Sequence, residues 1–195
     1  MTTFRPRSAR VTAVAIVGVA GTAAVSHVAA SGFQDSSPTI GLALLASAVA
    51  VVAYWRPEIR VGDESVEIAN VLSTVAIPYS RIVHVDTRWA MTVELDDGGK
   101  VSAFAAPAPG TGKARDFRPD ELRGLPPDTF ATGTVRVGDS PGTASGDAAL
   151  LVRTALDRWR RRGQADDTLV SRRGNTTACI ALTSGLAAAV LGFLV

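Results

Sequence analysis

The side chains with the clearest chemistry in this sequence are arginines near its carboxyl-terminal end. Residues 153–173 contain seven arginines against three aspartates, whereas residues 56–173 as a whole carry equal numbers of basic and acidic side chains. Each basic residue close to an anionic bilayer surface gains about 1 kcal/mol of attraction. The sequence therefore predicts a local cationic surface that contacts anionic lipid headgroups. The residues predicted to make this contact are Arg158, Arg160, Arg161, Arg162, Arg172 and Arg173.

Part of this positive charge is also expected without any lipid contact. Arg172 and Arg173 precede an apolar segment, where basic residues mark the cytoplasmic side of a membrane span. The remaining arginines could also serve to solvate one face of a helix. The formal net charge of the whole chain is only +2, which argues against nucleic acid as a partner.

No set of residues has the spacing of a catalytic, cofactor or metal site. The single cysteine, Cys179, excludes a disulfide framework. His27 and His84 are lone histidines, and a hairpin turn accounts for Asp96-Asp97. The segment Pro109–Lys113 lacks the glycine and the following Ser or Thr that a phosphate-binding loop requires. The sequence therefore predicts no enzyme, no cofactor and no metal site.

Three apolar segments have the composition of membrane-spanning helices. They cover residues 11–33, 39–55 and 175–195. Apart from Asp35, which lies in a short polar turn at residues 34–38, these segments carry no charge. The outer faces of soluble helices need more polar groups than this. The sequence therefore predicts a multi-pass membrane protein in which the first two spans form a helical hairpin.

The positions of the basic residues predict how these spans are oriented. All 20 Lys and Arg residues lie within residues 1–10 or 56–173. Because basic loops stay in the cytoplasm, both segments should be cytoplasmic, and the carboxyl terminus should lie outside the cell (plasma) membrane. One alternative stays open, in which the first span is a secretory signal cleaved near Val28-Ala29-Ala30. The central segment would then still be cytoplasmic.

The central segment alternates between apolar and polar residues, as strands with one buried face do. Six short strands are predicted between Ile59 and Ala105, and the clearest of them places Trp89 on the buried face. Asp96–Gly99 has the composition of a hairpin turn. A flexible loop rich in glycine and proline follows at residues 106–146, and Thr134–Val137 inside it could be a seventh strand.

A helix is predicted to end this domain, which spans residues 56–163 and is followed by a linker at 164–174. Ser145 has the side chain of a helix cap. Arg153, Asp157 and Arg161 are four residues apart and should form ion pairs on the water-facing side. The stripe predicted to face the sheet consists of Ala148, Val152, Ala155 and Trp159. The expected fold is a bent antiparallel β-sheet or barrel of about seven strands, capped by this C-terminal α-helix.

Several short motifs resemble those of a known family. The motifs are Arg56-Pro57, Ile77-Pro78-Tyr79-Ser80-Arg81-Ile82, Asp86-Thr87-Arg88-Trp89 and Val101–Gly110. With the paired spans before the domain, they resemble the actinobacterial membrane-anchored bacterial pleckstrin-homology (PH) domain proteins over residues 38–163. The resemblance implies a PH-like fold and no catalytic residue. The acidic turn Gly62-Asp63-Glu64 departs from the basic turn with which eukaryotic relatives of the fold bind phosphoinositides.

These observations lead to one functional expectation and one alternative. The central domain is expected to be a non-enzymatic scaffold or regulatory module that binds a partner protein or anionic lipid. Alternatively, the chain is an accessory subunit of a membrane transport or envelope-synthesis complex, and its spans carry the specificity.

Overall fold

The computed structural model describes residues 1–110, 137–163 and 168–194, and the chain divides into two compact units. The first, called here the sheet unit, contains Met1–Pro6 and Glu58–Arg173. The second, called here the helical unit, contains Arg7–Pro57 and Gly174–Val195. Each unit is described by itself below.

The described residues contain strands and α-helices in the following order along the chain. The strands are β1 (Thr2–Phe4), β2 (Glu58–Val61), β3 (Ser65–Ala69), β4 (Ser73–Pro78), β5 (Ile82–Asp86), β6 (Ala90–Leu95), β7 (Lys100–Pro107) and β8 (Ser171–Gly174). The α-helices are α1 (Arg7–Ser31), α2 (Ser37–Ala50), α3 (Ala144–Arg162) and α4 (Thr176–Leu194). A π-helical turn, Val51–Trp55, extends α2 to 19 helical residues.

Three helices of the helical unit are long and apolar enough to cross a membrane. They are α1, α2 with its π-helical extension, and α4, and their mean hydropathies are 1.8, 1.8 and 2.0. The three apolar segments predicted from the sequence coincide with them to within a few residues at either end. Val195, the last residue of the third predicted span, lies outside the described residues.

Polar and aromatic contacts join the two ends of the α1–α2 hairpin. At one end, His27 Nδ1 and Thr39 Oγ1 are 2.6 Å apart and share a hydrogen bond. At the other end, the Arg10 guanidinium carbon lies 5.4 Å from the centroid of the Trp55 ring, which is cation–π geometry. These contacts fix the register of the two antiparallel helices.

Small residues let α2 and α4 approach closely. A side chain at Gly41 or Gly192 would collide with the backbone of the other helix. The Ser37 hydroxyl also donates a hydrogen bond of 3.0 Å to the carbonyl of Gly192. Such close backbone contact is typical of helix pairs in membranes, where apolar surface alone gives no driving force for association.

The strands of the sheet unit form two sheets. The order is β1-β2-β3-β4-β8 in one sheet and β5-β6-β7 in the other. The pairs β1–β2, β2–β3, β3–β4, β5–β6 and β6–β7 are antiparallel. The six strands expected between Ile59 and Ala105 are all present. Within the described residues the sheets do not close into a barrel, so the barrel form of the expected fold is wrong for this part of the chain.

Two strands occur where the sequence predicted none. β1 lies in the basic N-terminal segment and pairs with β2, so that Thr3 faces Arg60. The buried carboxylate of Glu58 forms ion pairs with Arg5 and Arg60. The ion pair with Arg5 helps to hold β1 against β2. β8 lies in the predicted linker and forms the opposite edge of the five-stranded sheet.

Helix α3 packs against strands of both sheets, namely β2, β5, β6 and β7. The predicted stripe on α3 does face the core, since Ala148, Val152 and Ala155 are buried and Trp159 is partly buried against the core cluster. The buried face of α3 therefore covers apolar side chains of both sheets.

Three local expectations are wrong or fall outside the described residues. Thr143, rather than Ser145, caps α3, because the Thr143 Oγ1 accepts a hydrogen bond of 2.9 Å from the Gly146 amide. Trp89 precedes β6 and is 83% exposed, so it is not part of the buried face. Of the expected seventh strand, residues 134–136 lie outside the described residues, and Val137 begins a 3-10 turn.

Candidate functional site

Four of the six arginines predicted to contact lipid lie near the C-terminal end of α3. Arg158, Arg160, Arg161 and Arg162 are all exposed. The helix ends at Gly163, whose φ of +63° is the left-handed conformation that glycine adopts without strain. The carbonyl end of a helix carries partial negative charge, so cations in its last turn are favourable there. We call these four residues the arginine cluster.

The remaining two predicted arginines belong to a different element. Arg172 and Arg173 lie on β8, the edge strand of the five-stranded sheet, and both are exposed. All six predicted side chains therefore reach solvent. The structure supplies two groups of exposed arginines, one at the end of a helix and one on a sheet edge.

Three members of the arginine cluster approach groups of the β-sheets. Arg162 Nη2 lies 4.0 Å from the Asp63 carboxylate in the turn between β2 and β3. Arg160 Nη2 is 3.5 Å from the Ile82 carbonyl oxygen, at the long limit of a hydrogen bond. Arg158 and Arg162 are both close enough to Tyr79 to influence its ionisation.

Tyr79 joins the end of α3 to the β2–β3 turn. Its ring lies 6.3 Å from the Trp159 ring, centroid to centroid, with an angle of 47° between the ring planes. The Tyr79 hydroxyl donates a hydrogen bond of 3.0 Å to the Gly62 carbonyl. Its backbone N–H donates to the Glu64 carbonyl, also at 3.0 Å. These bonds place Asp63, which lies between Gly62 and Glu64, beside the arginine cluster.

Burial changes the acid–base behaviour of Tyr79. The residue is 1% exposed. Its removal from water raises the pKa to about 12, an effect that Arg158 and Arg162 oppose and Asp63 reinforces. The phenol is therefore neutral over the whole physiological range and acts here as a hydrogen-bond donor.

Arg153 does not lie on the water-facing side of α3, where the sequence predicted it. Its side chain is 4% exposed, and its Nη1 donates a hydrogen bond of 2.8 Å to the Asp139 carboxylate. The Nη2 donates to the Val85 carbonyl at 2.6 Å, and Thr87 Oγ1 donates to the same Asp139 oxygen at 2.9 Å. This buried network ties α3 to β5 and to the 3-10 turn Val137–Asp139, which is a structural role.

The remaining polar candidates have structural partners. Asp96 forms an ion pair with Arg81 at 3.0 Å. Asp97 Oδ1 accepts a hydrogen bond from the Gly99 amide, as expected in a hairpin turn. Within residues 1–110, 137–163 and 168–194, no three His, Cys, Asp or Glu side chains come together in a way that could hold a metal ion.

A shallow apolar groove lies elsewhere on the sheet unit, between the β3–β4 turn and β7. Its volume is about 390 Å³, and Leu72 and Phe104 on its lining are each 53% exposed. The Asn70 side chain forms its polar wall, because the amide donates to the Ser102 carbonyl and accepts from the Phe104 amide, each at 2.8 Å. Sequence reasoning missed this groove, because it depends on two segments more than thirty residues apart.

Comparison of the chain with protein-family models, curated proteins and solved structures found no match in any of the three. The family resemblance seen in the sequence motifs therefore stays an expectation.

Proposed function

We propose that this chain is an integral protein of the cell (plasma) membrane whose sheet unit is a cytoplasmic, PH-like binding module without enzymatic activity. The module contacts the surface of an anionic bilayer through the arginine cluster, Arg172 and Arg173. The observation that carries this proposal is the exposure of all six arginines on the sheet unit of a chain with three long apolar helices.

The helical unit supports a membrane location. On α1, large apolar side chains are exposed along its length, among them Val11, Val19 and Val25 at about 70%. In water such a surface would favour aggregation, whereas in a bilayer it meets lipid. The basic residues lie outside the apolar segments 11–33, 39–55 and 175–195, which favours a cytoplasmic sheet unit.

The arrangement of the sheet unit supports the PH-like part of the proposal. The strands β2 to β7 come before α3 along the chain, and this one amphipathic helix then packs on both sheets, with β8 following it. The order of β2 to β7 and α3 agrees with strands followed by a C-terminal helix, which the resemblance to membrane-anchored bacterial PH-domain proteins implies, whereas β8 departs from it. In such an arrangement the C-terminal helix end and the strand turns are free to meet a ligand.

The expected lipid contact is weak, reversible and dependent on charge. Each arginine near an anionic surface contributes about 1 kcal/mol, and salt screens this attraction beyond about 8–10 Å at ordinary ionic strength. Headgroup chemistry should matter little, because the β2–β3 turn beside the cluster carries Asp63 and Glu64 instead of basic residues.

A partner protein is the second candidate ligand. The observation that favours it is the groove lined by Leu72 and Phe104, since exposed apolar side chains beside a concave surface are typical of protein contacts. In this case the chain would be an accessory subunit of a larger membrane complex, such as one for transport or envelope synthesis.

Hydrogen exchange of the full chain in lipid nanodiscs tests the proposal. Discs of neutral phosphatidylcholine are compared with discs that also contain phosphatidylglycerol, and exchange is read at residues 158–163 and 171–174. We expect slower exchange at both segments in anionic discs, reversal by high salt, and the same effect when phosphatidylserine replaces phosphatidylglycerol at equal charge. Equal exchange in neutral and anionic discs would contradict lipid contact. Protection by only one anionic lipid would contradict a contact based on charge alone.

A further inference from the structure

We propose that Asp63 is a built-in competitor of the anionic lipid surface, holding part of the arginine cluster until lipid headgroups displace it. This inference rests on the proposed lipid contact and adds its regulation. The two residues involved are Asp63 on the β2–β3 turn and Arg162 on α3, whose side chains form an ion pair.

The position of Asp63 is set by packing and is not that of a free loop. The turn is closed by a hydrogen bond of 2.9 Å from the Gly62 amide to the Ser65 carbonyl. Tyr79 then holds the turn on both sides of Asp63 through its bonds to Gly62 and Glu64, and it packs on Trp159. Since Trp159 follows Arg158 directly in the sequence of α3, the same contact holds the aspartate beside the cluster.

The ion pair between Arg162 and Asp63 is weak enough for another anion to displace Asp63. Arg162 Nη2 and Asp63 Oδ1 are 4.0 Å apart, at the outer limit of an ion pair. The Asp63 side chain is 82% exposed and that of Arg162 is 43% exposed. Water therefore screens the pair, and such pairs contribute little to stability. A lipid phosphate that approaches the cluster can therefore replace Asp63 as the anion beside Arg162.

This arrangement raises the surface charge density that lipid contact requires. At low charge density Asp63 remains the anion that pairs with Arg162, and it also repels phosphate groups. At high charge density many headgroups compete with one carboxylate, and Arg162 turns to the bilayer. Asp63 thus raises the fraction of anionic lipid that is needed for contact.

The test is a lipid titration of the full chain in nanodiscs. The fraction of phosphatidylglycerol in phosphatidylcholine is raised stepwise, and the fraction that gives half-maximal hydrogen-exchange protection of residues 158–163 is determined. Asp63→Asn keeps the shape of the side chain and removes its charge. Asp97→Asn is the matched control, because it makes the same charge change on an exposed turn and keeps the oxygen that accepts from the Gly99 amide.

We expect Asp63→Asn to lower the phosphatidylglycerol fraction at half-maximal protection about two-fold relative to Asp97→Asn. The expected effect is small because the variant removes a single ion pair that water screens. The difference should disappear when Arg162 is replaced by Gln. Equal midpoints for Asp63→Asn and Asp97→Asn would overturn the competitor role while leaving lipid contact standing. A difference that persists without Arg162 would also overturn it. If the unaltered chain shows no protection at any lipid fraction, the proposed function itself fails.

Discussion

The rings of Tyr79 and Trp159 pack against each other with their centroids 6.3 Å apart, although the two residues are eighty positions apart in the chain. This contact joins the C-terminal part of α3 to the β2–β3 turn and the end of β4. It therefore holds the arginine cluster on the sheet unit. If the contact is lost, both the stability of the unit and the position of the cluster should change.

Truncation of Trp159 tests whether its contact with Tyr79 stabilises the sheet unit. Trp159→Ala should lower the free energy of unfolding of the sheet unit by about 3 kcal/mol, at the low end for tryptophan because the ring is only partly buried. Trp89→Ala is the control, because Trp89 is 83% exposed and its removal should change stability by less than about 0.5 kcal/mol. Hydrogen exchange of the β6 amides in the full chain measures both. Equal effects of the two variants would show that α3 is not docked through Trp159.

Tyr79 should titrate about two pH units above an ordinary tyrosine. The chain has two tyrosines, so Tyr54→Phe leaves Tyr79 as the only one. The tyrosinate absorbance of this variant should have its midpoint at about pH 12, because burial raises the pKa to about 12. A midpoint near the usual value of about 10 would contradict the burial of Tyr79.

The raised pKa of Tyr79 also predicts how the free energy of unfolding depends on pH. In the unfolded chain Tyr79 loses its proton near pH 10, whereas in the folded chain it keeps the proton until about 12. The folded state therefore binds more protons in this interval, and stability falls as pH rises through it. The contribution of Tyr79 is fully present below about pH 10. Tyr79→Phe should flatten this part of the stability profile, and an unchanged slope would contradict the assignment.

Arg153 should be among the side chains most important for stability. Arg153→Met leaves the Asp139 carboxylate buried without the Arg153 cation, and such a loss typically costs about 3–5 kcal/mol. Arg161→Met, an exposed change on the same helix, should cost less than about 0.5 kcal/mol. Adding Asp139→Asn to Arg153→Met should restore part of the loss, because the buried carboxylate that has lost the Arg153 cation is then neutral. Exchange of the β5 and β6 amides measures these effects, and a small cost of Arg153→Met would contradict the buried network.

The three long apolar helices and the six central strands could be predicted from the sequence because their signals are local. Uninterrupted apolar runs and two-residue alternation are visible within single windows of residues. β1 could not be found in this way, because three residues are too few to show an alternating pattern. Its partner β2 also lies more than fifty residues further along the chain. The exposure of the arginine cluster was expected because arginine side chains are seldom fully buried.

The burial of Arg153 was not predictable from the pattern of α3. Its four-residue spacing to Asp157 is the usual sign of an exposed ion pair. Its actual partner, Asp139, lies in a preceding turn that offers no periodicity to interpret. The approach of Asp63 to Arg162 escaped prediction for the same reason, because it depends on how Tyr79 packs and not on any local spacing.

The proposed orientation predicts different outcomes for two reporter fusions. A reporter that is active only in the cytoplasm should work when placed in the Asp96–Gly99 hairpin turn and fail when placed after α4. A reporter that is active only outside should show the reverse. Activity of the cytoplasmic reporter after α4 would contradict the orientation derived from the basic residues.

The most direct test of the central claim is neutralisation of the arginine cluster in the full chain. Arg160, Arg161 and Arg162 are replaced together by Gln, and hydrogen exchange of residues 158–163 is compared between neutral and phosphatidylglycerol-containing nanodiscs. Arg88→Gln, an exposed arginine between β5 and β6, serves as the control, and exchange of the β6 amides checks that each variant is folded. We expect the triple variant to lose most of the protection by anionic lipid and Arg88→Gln to retain it. Undiminished protection of a folded triple variant would contradict the claim that these arginines bind the bilayer surface.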